Sequence, residues 1–249
     1  MNTALLETIN RTCEGSVSYG APAQEVLSTG IPQLDFVTGG GIPRGRIVEI
    51  HGNEGSGKTA LALHLAQQTG GPVLYADADH GLSPYILGGR ELYLLNVETL
   101  EDALDVCQTA AVGGFGAVVL DTVTAFPTNE DKRCGINDKV PPRNLQARVM
   151  SKGLPILAGL LHITGCTLFL VNQMREKPSV MPGNPGHPTG GKAVGCYAAL
   201  RLKAHRWEAI KHAGITTGQK ILVEVEKCKY AAPGKRAVLT LTYGKGVSA

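Results

Sequence analysis

Gly52-Asn53-Glu54-Gly55-Ser56-Gly57-Lys58-Thr59 is the stretch that decides how the rest of the chain is read. It fits a pattern of Gly, four free positions, then Gly-Lys-Thr. An apolar, β-branched run, Arg46-Ile-Val-Glu-Ile-His51, precedes it, and the helix former Ala60-Leu-Ala-Leu-His-Leu-Ala66 follows. Strand, glycine turn, helix is the order that phosphate binding requires. Glycines let backbone N–H groups turn inward around phosphate oxygens, and the helix N-terminus adds the positive end of its dipole. Lys58 would bring a point charge to the β- and γ-phosphates, and Thr59 a hydroxyl ligand for Mg²⁺. The stretch implies a nucleoside triphosphate site.

A second signature supports the first. Ala117-Val-Val-Leu-Asp121 is a buried strand that ends in a carboxylate. Alone it is a common pattern; after a complete phosphate loop it points to Asp121 as a holder of Mg²⁺ through water. Val73-Leu-Tyr-Ala-Asp-Ala-Asp79 is also apolar first and acidic last. Asp77 and Asp79 would share a face if that strand persisted, at the carboxyl end where parallel sheets gather their chemistry.

The other elements follow by periodicity. Thr99 caps a helix running to about Ala111, with Leu100, Leu104 and Cys107 inward. Leu145 to about Thr164 reads as a helix with Met150, Leu154, Leu157 and Leu161 on one stripe. Gly153 and Pro155 should kink or interrupt it, since an interior proline costs about 3 kcal/mol. Thr167-Leu-Phe-Leu-Val-Asn-Gln173 is a further buried strand. Tyr197–Lys203, Lys220–Glu226 and Ala237–Tyr243 alternate and are expected as antiparallel additions to the sheet. Ile221, Val223 and Val225 share a face there, and Lys227 and Lys229 would emerge on it if the strand continued. Two stretches are irregular and cationic, at about 127–144 and 174–192, and loops of such length are commonly functional. A solvated surface loop accounts equally for the first.

Composition sets outer limits. The 249 residues suffice for one large domain, with 43% hydrophobic and 18% charged residues as in globular chains. A net charge of +3 requires any basic surface to come from local clustering. Six scattered cysteines without a CxxC suggest neither zinc site nor disulfide framework, and free thiols fit a reducing cytosol. Glu7 and Arg11 interrupt any apolar leader, so no signal peptide is expected. The uncharged stretch 153–173 contains Pro155, His162 and Thr164-Gly165, and divides into helix end, turn and strand rather than a membrane span.

The order of these motifs resembles that of the RecA/RadA family of DNA recombinases, from about Leu27 to Gly246. The residues that carry the resemblance are Ser28-Thr-Gly, Arg44-Gly-Arg-Ile-Val-Glu-Ile, the phosphate loop, Asp77-Ala-Asp-His and Val119-Leu-Asp-Thr-Val. Leu145-Gln-Ala-Arg-Val-Met-Ser belongs with them, and more specific are Val171-Asn-Gln-Met-Arg-Glu-Lys, Gly183-Asn-Pro, Thr189-Gly-Gly and Lys227-Cys-Lys-Tyr-Ala-Ala-Pro233. The last group follows the bacterial branch.

The resemblance implies an α/β, RecA-type P-loop NTPase core at 29–249. Its sheet would be mostly parallel with antiparallel strands at the C-terminal side, after a short oligomerisation arm at 1–28. It implies ATP and Mg²⁺ as cofactors, Asp79 as the water-activating base, and Gln173 as the γ-phosphate sensor. Lys227 and Lys229 would reach the ATP of a neighbouring subunit. The two irregular stretches become DNA-binding loops, with Arg143, Arg148, Arg175, Lys177, Gly190, Gly191 and Lys192 at or near the DNA backbone. The partners implied are single-stranded DNA without sequence preference, duplex DNA during pairing, and further copies of the chain in a helical filament or ring, in the cytoplasm and without a membrane.

Departures from the family pattern carry weight too. Bacterial members have glutamate where this chain has Asp79, one methylene shorter. Ser83 and Ile86 stand in place of an acid and an adenine-stacking tyrosine. Pro178 and Pro182 replace apolar loop residues, Cys196 replaces an interface aromatic, and the small C-terminal domain of bacterial members is not expected here. A recombinase paralogue that regulates another recombinase is therefore the main alternative to an active recombinase, with a related unwinding motor third.

Overall fold

In the computed structural model, residues 23–82, 92–134, 144–175, 187–188 and 192–249 are described. Short elements lead in: β1 (Val26–Leu27) pairs with β2 (Ile42–Pro43), and α1 (Pro32–Thr38) lies between them. The main sheet contains β3 (Ile47–Gly52), β4 (Val73–Asp77), β5 (Tyr93–Leu95), β6 (Ala117–Asp121) and β7 (Thr167–Arg175). It continues through β8 (His187–Pro188), β9 (Leu200–His212), β10 (Ile215–Cys228), β11 (Arg236–Thr242) and β12 (Gly246–Ser248). The strand order is β12-β11-β10-β9-β3-β7-β6-β4-β5, with β8 paired to β7. The central strand β3 is buried along its whole length, as its continuous apolar run requires.

Along that order, neighbours from β5 to β9 are parallel and those from β9 to β12 antiparallel, as is the β7–β8 pair. The expectation that all three C-terminal strands are antiparallel additions is corrected at β9. It pairs in parallel with β3, placing Leu202 beside Ile50 and Ala204 beside Gly52. The reversal begins at the hairpin from β9 to β10.

Two cores sandwich this sheet. On one face α1 and α2 (Lys58–Gln67) pack with Val48, Ile50, Tyr75, Val119, Phe169 and Ile221. On the other, α3 (Leu100–Val112) and α5 (Leu145–Thr164) cover Ile47, Val118, Leu120, Leu168 and Leu170. Thr99 caps α3, accepting from the Asp102 N–H at 3.2 Å. Helix α5 buries the expected stripe of Met150, Leu154, Leu157 and Leu161.

Of the two expected effects of Pro155, interruption does not occur, because α5 runs through it. Pro155 and Ser151, whose carbonyl loses its donor, both face solvent, where water can take up that carbonyl. Gly153 serves packing instead: a Cβ there would lie 2.8 Å from Leu104 Cδ1 of α3. The uncharged stretch 153–173 divides as expected, with Gly165 capping α5 at φ +77 before β7. Among the described residues, no helix is long and apolar enough to cross a membrane.

Part of the first irregular stretch is helical. Asn129–Arg133 forms α4, begun by a capping box between Thr128 and Asp131. In the second, β7 runs on to Arg175 and pairs with β8, while Lys192 opens α6 (Lys192–Tyr197) rather than closing a loop. The arm as far as residue 22, and Ser83, Ile86, Arg143, Lys177, Pro178, Pro182, Gly190 and Gly191, lie outside the described residues.

Candidate nucleotide site

Strand β3 delivers Gly52 to the sheet's carboxyl end, where close approach excludes a side chain. A Cβ on Gly52 would lie 2.2 Å from the Ala204 carbonyl oxygen of β9 and 2.9 Å from Ser56 Oγ. Gly57, with φ +85, is the N-cap of α2, and a Cβ there would meet Ile221 Cδ1 at 2.4 Å. The loop is therefore pressed against β9 and β10, with the first N–H groups of α2 opening into it. Ser56 Oγ is buried without a hydrogen-bond partner, one of two such side-chain atoms among the described residues, so the loop has unmet polar capacity.

Lys58, the first residue of α2, is buried, and its Nζ donates to the Asn53 carbonyl at 2.8 Å. Burial lowers its pKa, opposed by the carboxylates of Asp121, Glu54 and Asp79. Beside it lies a cavity of about 300 Å³ lined in part by Gly55, Thr59, Gln219, Tyr243 and Gly244. Gln219 Nε2 donates to the Gly55 carbonyl at 2.9 Å, and the Tyr243 hydroxyl donates to Gln219 Oε1 at 3.4 Å. Sequence reading missed Gln219 and Tyr243, because neither belongs to a local motif.

Asp121 ends β6 next to α2. Its Oδ2 accepts from Thr59 Oγ1 at 2.7 Å and from the Tyr75 hydroxyl at 2.6 Å. Burial raises the Asp121 pKa, and the two hydroxyl donors oppose that rise. Asp77 and Asp79 do not act as a pair on one face, because β4 stops at Asp77. The Asp77 carboxylate is used locally, accepting from the N–H groups of Gly81 at 3.2 Å and Leu82 at 2.8 Å. Asp79, in the following turn, is exposed and accepts a hydrogen bond from Thr122 Oγ1, next to Asp121. Lys58, Thr59, Asp79 and Asp121 thus converge from α2, the β4 turn and β6. Phosphate oxygens fit the cationic, N–H-rich loop, and a hard divalent cation fits the Thr59 hydroxyl and Asp121 carboxylate.

Gln173 of β7 stands beside Gly52 in the sheet register and is exposed. The first residue of the phosphate loop is thereby adjacent to the strand that leads into the second irregular stretch.

Lys227 is not on the face of Ile221, Val223 and Val225. A register shift between Val225 and Lys227 pairs Lys227 with Arg201, where Val225 pairs with the core residue Leu202. One inserted residue reverses the side-chain alternation. Lys227 Nζ donates to the carbonyls of Gly195 at 2.7 Å and Cys196 at 3.0 Å in α6. Burial and the neighbouring Lys229 lower its pKa. Lys229 is exposed.

Behind these residues lies a polar cluster absent from the sequence reading. Buried Glu49 accepts from Asn172 Nδ2 at 3.0 Å and is paired with Arg201. His51 meets Glu226 at 2.9 Å, and Arg201 reaches the same carboxylate oxygen at 3.3 Å. The hydrogen bond with His51 is the main reason the Glu226 pKa is lowered. Arg148, in the first turn of α5, and Lys192, opening α6, are both exposed.

A profile described as the RecA N-terminal domain matches residues 10–248. Protein RecA of Clostridium perfringens (strain 13 / Type A) is 37% identical over 239 residues, covering 92% of this chain and 67% of that protein. Protein RecA of Rubrobacter xylanophilus is 39% identical over 232 residues, covering 89% and 67% respectively. A crystal structure of the RadB recombinase superposes with a TM-score of 0.65 at 20% identity, covering 90% of this chain and 99% of that one, a likeness of fold.

Proposed function

The chain belongs to the RecA family, and on that premise we propose that it is a DNA-dependent ATPase that assembles on single-stranded DNA and promotes homologous pairing in recombination and repair. The observation that carries this reading is the convergence of Lys58, Thr59 and Asp121 around a phosphate loop with unmet polar capacity. ATP would lie along that loop. Mg²⁺ would be held by the Thr59 hydroxyl and, through water, by Asp121, and would neutralise charge on the β- and γ-phosphates.

Asp79 is the group that would orient and deprotonate the attacking water, with Thr122 fixing its carboxylate. Lys58 would stabilise charge on the transferred phosphoryl group. Gln173 would report the state of the γ-phosphate to the stretch after β7, because its strand abuts Gly52. Arg148, Arg175 and Lys192, with Arg143, Lys177, Gly190 and Gly191, would meet DNA phosphates. Such contacts make binding salt-dependent and nearly blind to sequence.

The test is ATP hydrolysis with and without single-stranded DNA, paired with electron microscopy using a non-hydrolysed ATP analogue. DNA-stimulated hydrolysis and a continuous helical filament are expected, with hydrolysis abolished in Lys58→Ala. An unchanged rate in Lys58→Ala would sink the nucleotide assignment. ATP binding without filaments or strand pairing would favour a regulatory paralogue.

A further inference from the structure

We propose that the Tyr75 hydroxyl is a positioning group for the divalent metal, holding Asp121 in the orientation that presents its carboxylate to metal-bound water. The inference rests on the nucleotide site proposed above. Tyr75 lies in the middle of β4, opposite Val119 of β6, and Asp77 lies opposite Asp121. Tyr75 is therefore one pleat behind Asp121 on the same face of the sheet. Its ring is 1% exposed and packs in the core beneath α2. Packing there asks only for an aromatic ring, and phenylalanine would supply one. The hydroxyl is the additional feature, and a buried phenol needs an acceptor.

The acceptor is the carboxylate best suited to metal chemistry. Tyr75 donates to Asp121 Oδ2 at 2.6 Å, and Thr59 Oγ1 donates to the same oxygen at 2.7 Å. Two hydroxyls from different elements thus converge on one oxygen, and neither engages the other oxygen. A carboxylate torsion is soft, so a single donor leaves room for rotation. The second donor here is carried by a rigid ring locked in a core strand. Thr59 would also be drawn toward the metal, whereas Tyr75 is too deeply packed to follow. Partners of this kind orient metal-holding groups, and their loss commonly costs about 10–100-fold in metal affinity or activity.

Tyr75→Phe keeps the ring and deletes only the hydroxyl. The experiment is equilibrium ATP binding to the full chain, by calorimetry, without metal and across a Mg²⁺ series, with urea unfolding of each protein alongside. The expected result is metal-free ATP affinity within about twofold of the parent, and a Mg²⁺-dependent gain in affinity reduced about tenfold. An unchanged gain would overturn the proposal, leaving the hydroxyl as a satisfied core phenol. Equal losses with and without Mg²⁺, in step with lowered stability, would also overturn it in favour of a structural role. A parent protein that binds ATP without a Mg²⁺-dependent gain would overturn the positioning role alone, whereas one that binds no ATP at any Mg²⁺ concentration would overturn the nucleotide reading and the positioning role with it.

Discussion

At the scale of single residues, Asp79 is the proposed water-activating base. Its carboxylate is anchored by Thr122 Oγ1 and sits beyond the end of β4. Aspartate places its oxygens one methylene short of a glutamate's reach, and general-base placement is worth about 10²–10⁴-fold. Asp79→Glu should therefore raise the single-turnover rate of DNA-dependent hydrolysis with ATP affinity unchanged. An equal or slower rate at unchanged affinity would show that Asp79 already has the required reach. The convergence of Lys58, Thr59 and Asp121 was legible because their placement follows from local spacing and strand ends. Tyr75 and Gln219 were not, because a tyrosine in an apolar strand and a glutamine in an alternating one look like ordinary pleat residues. Their partners, Asp121 and Gly55, are 46 and 164 positions away.

At the scale of elements, tertiary surroundings overruled two local signals. Pro155 in α5 is tolerated because its missing hydrogen bond faces water. Gly153, a poor helix former, is where α5 approaches α3. Gly153→Ala should gain helix propensity of about 1 kcal/mol but force Leu104 Cδ1 from 2.8 Å. Overpacking typically costs 1–3 kcal/mol, so a net loss of about 1 kcal/mol is expected as a lower urea midpoint. A raised midpoint would show that Leu104 swings aside freely. The cluster joining β3, β9 and β10 makes a second prediction. The folded pKa of Glu226 is lowered, foremost by the hydrogen bond with His51. Glu226 therefore contributes stability that is fully present above the ordinary glutamate value, about 4.3, and is lost as pH falls through its lower folded value. The stability gap between the parent and Glu226→Gln should narrow as pH falls below the ordinary glutamate value. A gap that widened below that value would contradict that sign.

At the scale of the whole molecule, the question is whether one copy is a complete machine. Lys227 Nζ is held by the Gly195 and Cys196 carbonyls of its own subunit. Action on a neighbour's ATP would require it to release them, whereas Lys229 is already exposed. Lys58→Ala and Lys227→Ala/Lys229→Ala should each be inactive on DNA, and their mixture should regain part of the ATPase rate. An intact loop in one copy would then be completed by lysines from the other. A flat baseline at every mixing ratio, with both variants folded and DNA-bound, would rule out action in trans. What the sequence by itself determined is the phosphate loop, the buried strands with Asp121 at an end, and the layered α/β class. Those depend on spacing and periodicity within short windows, where chain geometry leaves few choices. Only the tertiary structure decided that β9 joins β3 in parallel, that a bulge carries Lys227 to the α6 face, and that Tyr75 and Thr59 share one oxygen of Asp121. The physical reason is common to all three. Strand pairing, register and burial of a hydroxyl are settled by contacts between segments far apart in the chain, and side-chain alternation is blind to an inserted residue.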